Sequence, residues 1–267
     1  MADSAPGAPL LNASDVTIRF GGLVAVSKFQ LKLNQGELVG LIGPNGAGKT
    51  TVFNMLTGVY RPTEGDISFQ GNSLVGKKPF EINRLGLART FQNIRLFKTL
   101  TVLENVLIAS HMQSHYGLAA AILKTNSRDL HEEKLRSNAI ELLKIFNMQN
   151  LINEEAGSLP YGQQRRLEIV RALATRPKIL FLDEPAAGMN HSETEALMKT
   201  IREIRKAFHL TILLIEHDMK LVMGVCERII VLDHGVIICE GDPKKIQADP
   251  KVIEAYLGSS YLEEGHA

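Results

Sequence analysis

Cysteine is scarce in this chain of 267 residues: Cys226 and Cys239 stand thirteen positions apart, with no companion cysteine and no zinc-type spacing. That excludes a disulfide framework and a structural zinc site, and makes a reducing, cytosolic compartment the expectation. An excess of one charge sign is lacking as well. Thirty Lys and Arg against 29 Asp and Glu leave +1, a balance that gives no broad basic footprint for a duplex while leaving a local patch open, and no nucleic-acid partner is expected. No apolar run approaches the roughly 18 residues of a membrane span, and the opening MADSAPGAPL carries neither the positive nor the apolar region of a signal peptide. Any membrane role is therefore expected to be peripheral. Internal repeats and low-complexity tracts are absent too. What is there is 45% hydrophobic and 22% charged, enough to bury a large core and to exclude disorder, collagen and coiled coil. At about 150 residues per domain, the length suggests one domain with an appended subdomain.

Along the chain, residues 1–9 read as a frayed terminus and 10–267 as a single domain. From Asp15 to Leu33 the segments VTIRF, LVAV and FQLKL alternate about a Gly21-Gly22 break, the pattern of short antiparallel strands. Glu37 to Ile42 is almost continuously apolar, as in a strand covered on both faces. KTTVFNMLTG after it reads as a short helix stopped by Gly58. From about Leu96 to Asn150 the pattern is mostly helical: Thr101 with Glu104 forms a capping box, and Leu135, Ala139, Leu142 and Phe146 recur on one face. KILFLDE and TILLIEH are buried strands, separated by a helix with Leu197, Ile201 and Ile204 on one stripe and with Ser192 and Glu195 as its predicted cap. RIIVLDHGVIICEG reads as two strands about Asp233-His234-Gly235. The fold class expected is α/β, with a mainly parallel core sheet, an antiparallel β portion near the N-terminus and an inserted helical subdomain at about 94–172. The tail from Pro243 to Ala267 reads as packed helix in preference to a regulatory element.

Gly43-Pro44-Asn45-Gly46-Ala47-Gly48-Lys49-Thr50, with Thr51 following, fits the pattern of a phosphate-binding loop, and it lies between a buried strand and a helix. Glycines let successive N–H groups face one concavity, the helix N-terminus adds positive potential, Lys49 reaches terminal phosphates, and Thr50 offers an oxygen to Mg²⁺. The bland alternative is a strand-to-helix turn that needed glycine. The strand ILFLDE ends in two carboxylates: Asp183 is placed to hold the Mg²⁺ shell, and Glu184 to orient or deprotonate an attacking water. His217 alone would read as a structural histidine. A parallel sheet, however, delivers its strand ends to one edge, so His217, Glu184 and the loop should converge, with His217 positioning the terminal phosphate. Gln92, in ARTFQNIRLF, offers an amide to the metal shell.

The segment Leu159-Pro160-Tyr161-Gly162-Gln163-Gln164-Arg165-Arg166, followed by LEIVRAL, resembles the signature region of ATP-binding-cassette ATPases. The resemblance covers about Leu10 to Leu257, in the order P-loop, Gln92, signature, Asp183-Glu184, His217. Within that family LPYGQQRRLEIVRAL, LDEPAAGMN, TILLIEHDMKLVM and VIEAYLG are most similar to ATPase subunits of high-affinity branched-chain amino-acid importers. The resemblance implies a P-loop nucleoside triphosphatase that binds ATP and Mg²⁺, with Phe20 stacking on adenine in place of the usual tyrosine. It implies Gln92 as the nucleotide sensor that faces a membrane partner, with Asn93 to Phe97 beside it; Leu96 and Phe97 could equally be local packing. It also implies two permease subunits, an indirect solute-binding protein, and a place on the cytoplasmic face of the inner membrane. Two departures stand out. Family signatures read LSGGQ, whereas here Pro160 removes a hydroxyl and an N–H and Tyr161 replaces a glycine. The loop after Glu184 usually reads S-A-L-D but here reads Ala187, Gly188, Met189, Asn190. Because each site in the family joins one subunit's P-loop to the other's signature, a heterodimer with an intact partner signature is expected. A urea or amide importer subunit, a small-molecule kinase and a cassette protein acting on ribosomes or DNA remain as alternatives.

Overall fold

The computed structural model describes residues 8–111 and 126–257. Among these, a six-stranded sheet runs in the order β10-β9-β3-β8-β7-β6, and a four-stranded sheet in the order β2-β1-β4-β5. The core strands are β3 (Leu38–Ile42), β6 (Leu87–Arg89), β7 (Ile179–Asp183), β8 (Thr211–Ile215) and β9 (Arg228–Asp233), all parallel. β10 (Val236–Gly241) returns antiparallel through a His234-Gly235 turn with φ of 42° and 79°, the geometry that lets strand twist continue across a two-residue hairpin. The expectation of a mainly parallel sheet in an α/β fold is thereby met.

β3, β7 and β8 are buried at every residue, which explains their unbroken apolar sequence: each pleat faces a covered layer. On one face Leu38, Leu180 and Ile212 join a core with the helices; on the other Val39, Phe181 and Leu213 join the antiparallel sheet. That second sheet is built by β1 (Leu11–Phe20), β2 (Leu23–Leu33), β4 (Glu64–Phe69) and β5 (Asn72–Ser73). The two expected short-strand groups are thus one long hairpin, whose interruptions in β1 are register shifts.

The helices are α1 (Lys49–Leu56), α2 (Pro79–Leu85), α3 (Val102–His111), α4 (Asn126–Ile145), α5 (Tyr161–Ala174), α6 (His191–Ala207), α7 (Met219–Val225), α8 (Pro243–Ala248) and α9 (Pro250–Leu257). Thr101 and Glu104 form the expected box: Thr101 N–H donates to Glu104 Oε2 at 2.8 Å, and Glu104 N–H to Thr101 Oγ1 at 3.2 Å. On α4, Leu135, Ala139 and Phe146 are buried as expected and Leu142 packs against the same core partly buried; Leu143, fully buried, widens the stripe. The cap of α6 also differs from expectation. Asn190, not Ser192, accepts from Glu193 N–H at 3.0 Å, and Glu193 answers at 2.9 Å; Ser192 already lies in the first helical turn. In the tail, Ile246 and Val252 are buried, so α8 and α9 are packed, while residues 258–267 lie outside the described chain.

Candidate active site

Every parallel strand exits at the same edge, and the exits of β3, β6, β7 and β8 lead into predicted site residues. β3 leads into residues 43–48. Gly43 has φ 152°, and a Cβ there would lie 1.9 Å from the Leu232 carbonyl oxygen; Gly48 (φ 102°) comes within 2.9 Å of the Ala25 oxygen in the same sense. The loop is therefore pressed against β9 and β2, and only glycine fits at those two points. Lys49 is buried, with Nζ donating to the carbonyls of Gly43 and Pro44 at 2.8 Å each. Burial lowers its pKa, while the charges of Glu184 and Asp183 work in the opposite direction.

Beside the loop lies a cavity of about 590 Å³ lined by Asn45, Gly46, Gly48, Lys49, Thr50, Thr51, Gln92, Glu184 and His217. Three residues predicted from separate motifs meet on its wall. His217 Nε2 lies 2.6 Å from Glu184 Oε1, and Gln92 Nε2 donates to Glu184 Oε2 at 2.9 Å. Glu184 itself is held at φ 48°, a left-handed conformation that costs a non-glycine residue of order 1–3 kcal/mol. Its N–H bonds to the Ile215 carbonyl at 2.9 Å, which aims the carboxylate out of the sheet. One Glu184 oxygen thus meets an imidazole and the other an amide, on the wall of the cavity beside the loop.

Asp183 is placed one step deeper. It is 1% exposed, and its Oδ2 takes the Arg89 guanidinium at 2.7 Å. Arg89 also donates to Asn54 of α1 at 2.6 Å, so the strand end, β6 and the helix after the loop share one buried charge pair. No group of three or more His, Cys, Asp or Glu suited to a metal occurs among the described residues. Of the residues expected to hold Mg²⁺, Thr50 and Gln92 line the cavity, and Asp183, next in sequence to Glu184 of the cavity wall, is buried with Oδ2 on Arg89. A threonine hydroxyl, an amide oxygen and a carboxylate are hard oxygen donors that suit a Mg²⁺ taking its remaining ligands from phosphate and water, so the residues fit that ion.

The signature segment lies elsewhere on the surface. Leu159 is buried, Pro160 caps α5 without an N–H to give, and Tyr161 is 46% exposed. The Tyr161 ring lies where a Gly188 Cβ would be, 2.9 Å from Cε1; Gly162 is buried, with the Glu193 carboxylate 2.9 Å from its virtual Cβ, and Gln163 N–H closes the first turn on Pro160. The two departures from the family pattern are thus one feature: a tyrosine in the signature occupies the space left by a glycine in the 187–190 loop. Phe20, 44% exposed at the end of β1, packs edge-on against Tyr60 with centroids 5.3 Å apart. It is not core, and it does not line the cavity.

Sequence reasoning missed Arg89, Arg165 and Glu168. Arg165 is fully buried; it donates to the carbonyls of Phe91 (2.5 Å) and Gln92 (2.6 Å), and pairs with Glu168 at 3.1 Å. Glu168 accepts from Phe91 N–H at 3.2 Å, and burial raises its pKa against the opposing pull of Arg165. The signature helix therefore grips the backbone of the Gln92 loop. The i,i+3 spacing of Arg165 and Glu168 was a visible signal; Arg89 had none.

A glycine-lined loop, an adjoining Asp-Glu strand end and a histidine gathered on one sheet edge, with a signature helix that grips the Gln92 loop, define a nucleotide-hydrolysing cassette. A family model described as ABC transporter matches residues 26–187, and the chain belongs to that family and is an ATPase of it. A second model, the branched-chain amino acid ATP-binding cassette transporter C-terminal segment, matches residues 236–261. The chain is 47% identical over 252 residues to the high-affinity branched-chain amino acid transport ATP-binding protein BraF of Pseudomonas aeruginosa and 48% identical over 252 residues to LivG of Escherichia coli. Each alignment covers 94% of this chain and 99% of the relative. It also resembles a solved ADP conformation of an ATP-binding cassette of an ABC transporter, with a TM-score of 0.81, 32% identity and coverage of 94% of this chain and 99% of that one. No helix among the described residues is long and apolar enough to cross a membrane.

Proposed function

We propose that this chain is the ATP-hydrolysing subunit of an importer for branched-chain amino acids, docked peripherally on membrane permease subunits at the cytoplasmic face. The convergence of Gln92, Glu184 and His217 on the P-loop cavity carries the catalytic part. The named relatives and the match at 236–261 support the solute class. In this reading the loop amides, Lys49, Thr50 and Thr51 bind the phosphates, Phe20 stacks on adenine, and Glu184 orders the attacking water. His217 holds Glu184 and the terminal phosphate in place. Thr50, Gln92 and Asp183 would hold Mg²⁺, which supplies charge neutralisation on the phosphates.

The partner cassette is a different chain. A homodimer would join two signatures whose Pro160 lacks an N–H and whose Gly162 faces the Glu193 carboxylate; a partner with the usual serine and glycines would complete the site around Lys49. Losing a positioned donor costs about 2.7–4 kcal/mol in a transition state, so the site built on this chain's signature is the slower one. For the permease, a groove of about 390 Å³ lies beside Phe91, with exposed Phe80, Phe97 and Ile108 and the guanidinium groups of Arg95 and Arg171 on its walls; apolar rings with a cationic rim suit an amphipathic helix. The test is reconstitution with the membrane subunits in vesicles: leucine uptake should require ATP and be lost in Lys49→Ala. Uptake of urea or amides in place of branched-chain amino acids would refute the solute assignment, and uptake indifferent to Lys49 would refute the reading as a whole.

A further inference from the structure

Glu216 stands between β8 and His217 and is 4% exposed. Its carboxylate takes backbone amides from two different loops. Oε1 accepts from Ala186 N–H at 2.7 Å; Oε2 accepts from His217 N–H at 3.0 Å and Asp218 N–H at 3.4 Å. The place of this contact in the sheet explains its use. β7 and β8 pair in register up to Asp183 and Ile215, and the last rung is Glu184 N–H to the Ile215 carbonyl. Beyond that rung the two chains part, one carrying Glu184 and the 186–190 loop, the other carrying His217. The Glu216 side chain bridges them one residue after the ladder stops. Both loops continue into helices capped by their own side chains, Asn190 for α6 and Asp218 for α7, so the carboxylate lies between two anchored segments. Burial, and to a lesser degree the nearby Glu184 charge, raise its pKa, while the three backbone amides pull it down.

We propose that Glu216 is a positioning residue for ATP hydrolysis: it ties the Glu184 loop to the His217 loop and so sets the 2.6 Å contact between Glu184 and His217. The inference rests on the ATPase reading above. Its chemistry is specific. All three partners are donors, so both oxygens must accept. A glutamine of the same shape would turn its NH₂ toward one loop and keep only the other. The test uses the assembled transporter carrying Glu216→Gln, with Glu216→Ala as a second variant. By analogy with groups that orient metal ligands, turnover should fall about 10- to 100-fold in Glu216→Gln while ATP affinity and melting temperature stay close to wild type. In a His217→Ala background, single-turnover phosphate release should show little further loss, since the geometry Glu216 sets is no longer used. Turnover in Glu216→Gln equal to wild type would overturn the proposal. So would losses that multiply in full with His217→Ala, or a turnover loss matched by an equal loss of ATP affinity and of folded protein. A wild-type complex without turnover would overturn the ATPase reading, and this inference with it.

Discussion

The chain presents two helix N-termini behind short loops, and they are chemically opposite. Behind residues 43–48, α1 opens from Gly48 with Lys49 buried beneath the loop and Thr50 facing the cavity. Behind Leu159, α5 opens from Pro160, with the Tyr161 ring over Gly188 and the Glu193 carboxylate against Gly162. Both have the dipole of a helix end. Only the first combines closely placed glycines with a lysine beside an open cavity, the combination that suits a helix end to phosphate, whereas the Arg165 cation of the second is spent on Glu168 and two carbonyls. The comparison teaches that a helix terminus is a permissive feature: the residues around it decide whether it takes an anion or simply packs.

The largest effect that could break this contrast comes from Lys49→Ala. Charge-assisted hydrogen bonds are worth about 1.5–3 kcal/mol each, so losing two from the ammonium to the phosphates should lower ATP affinity in an equilibrium titration at least about a hundredfold; retained affinity would mean that the first helix end does not hold the phosphates. Glu184→Gln should separate binding from chemistry, with affinity near wild type and turnover lower by a factor on the order of 10² or more. Equal losses in both variants would undo the assignment of roles. At the second helix end, Arg165→Met leaves Glu168 buried without its cation. Breaking such a pair costs about 3–5 kcal/mol, visible as a lower urea midpoint, and an unchanged midpoint would deny that Arg165 and Glu168 anchor the Gln92 loop. Smaller, and opposite in sign, is the double change Pro160→Ser with Tyr161→Gly. In a complex whose other site is silenced by Glu184→Gln, it should raise residual turnover by roughly tenfold, part of what one restored donor supplies. Gly188→Ala comes last, with a loss of about 1–2 kcal/mol from the φ of 74° and the Tyr161 ring; a neutral result would separate the two sequence departures that the structure joins.

Much of the site was legible because its residues act by type and spacing. Gly43 to Thr50 must be glycine-rich and must follow a buried strand; Glu184 and His217 each follow an apolar run that can be little else than a core strand. Strand exits in a parallel sheet share an edge, so convergence followed from topology before any coordinate. The cap of α6 was misplaced by two residues because Ser192 and Asn190 both begin acceptable boxes, and backbone conformation chose the one left extended. Arg89 and Glu216 were invisible for a different reason: an arginine or glutamate at a strand end is ordinarily solvated, and only packing shows that Arg89 is spent on Asp183 and Glu216 on three amides.

By itself the sequence determined the alternation of strand and helix, the phosphate loop and the atypical signature, because hydrophobic period and local backbone chemistry act between near neighbours. Only the tertiary structure decided that Tyr161 fills the space over Gly188, that Arg165 holds the Gln92 loop from another helix, and that Glu216 joins two strand exits. Those contacts span separations of roughly 27 to 73 residues, and nothing short of packing the whole core brings such distant groups into contact.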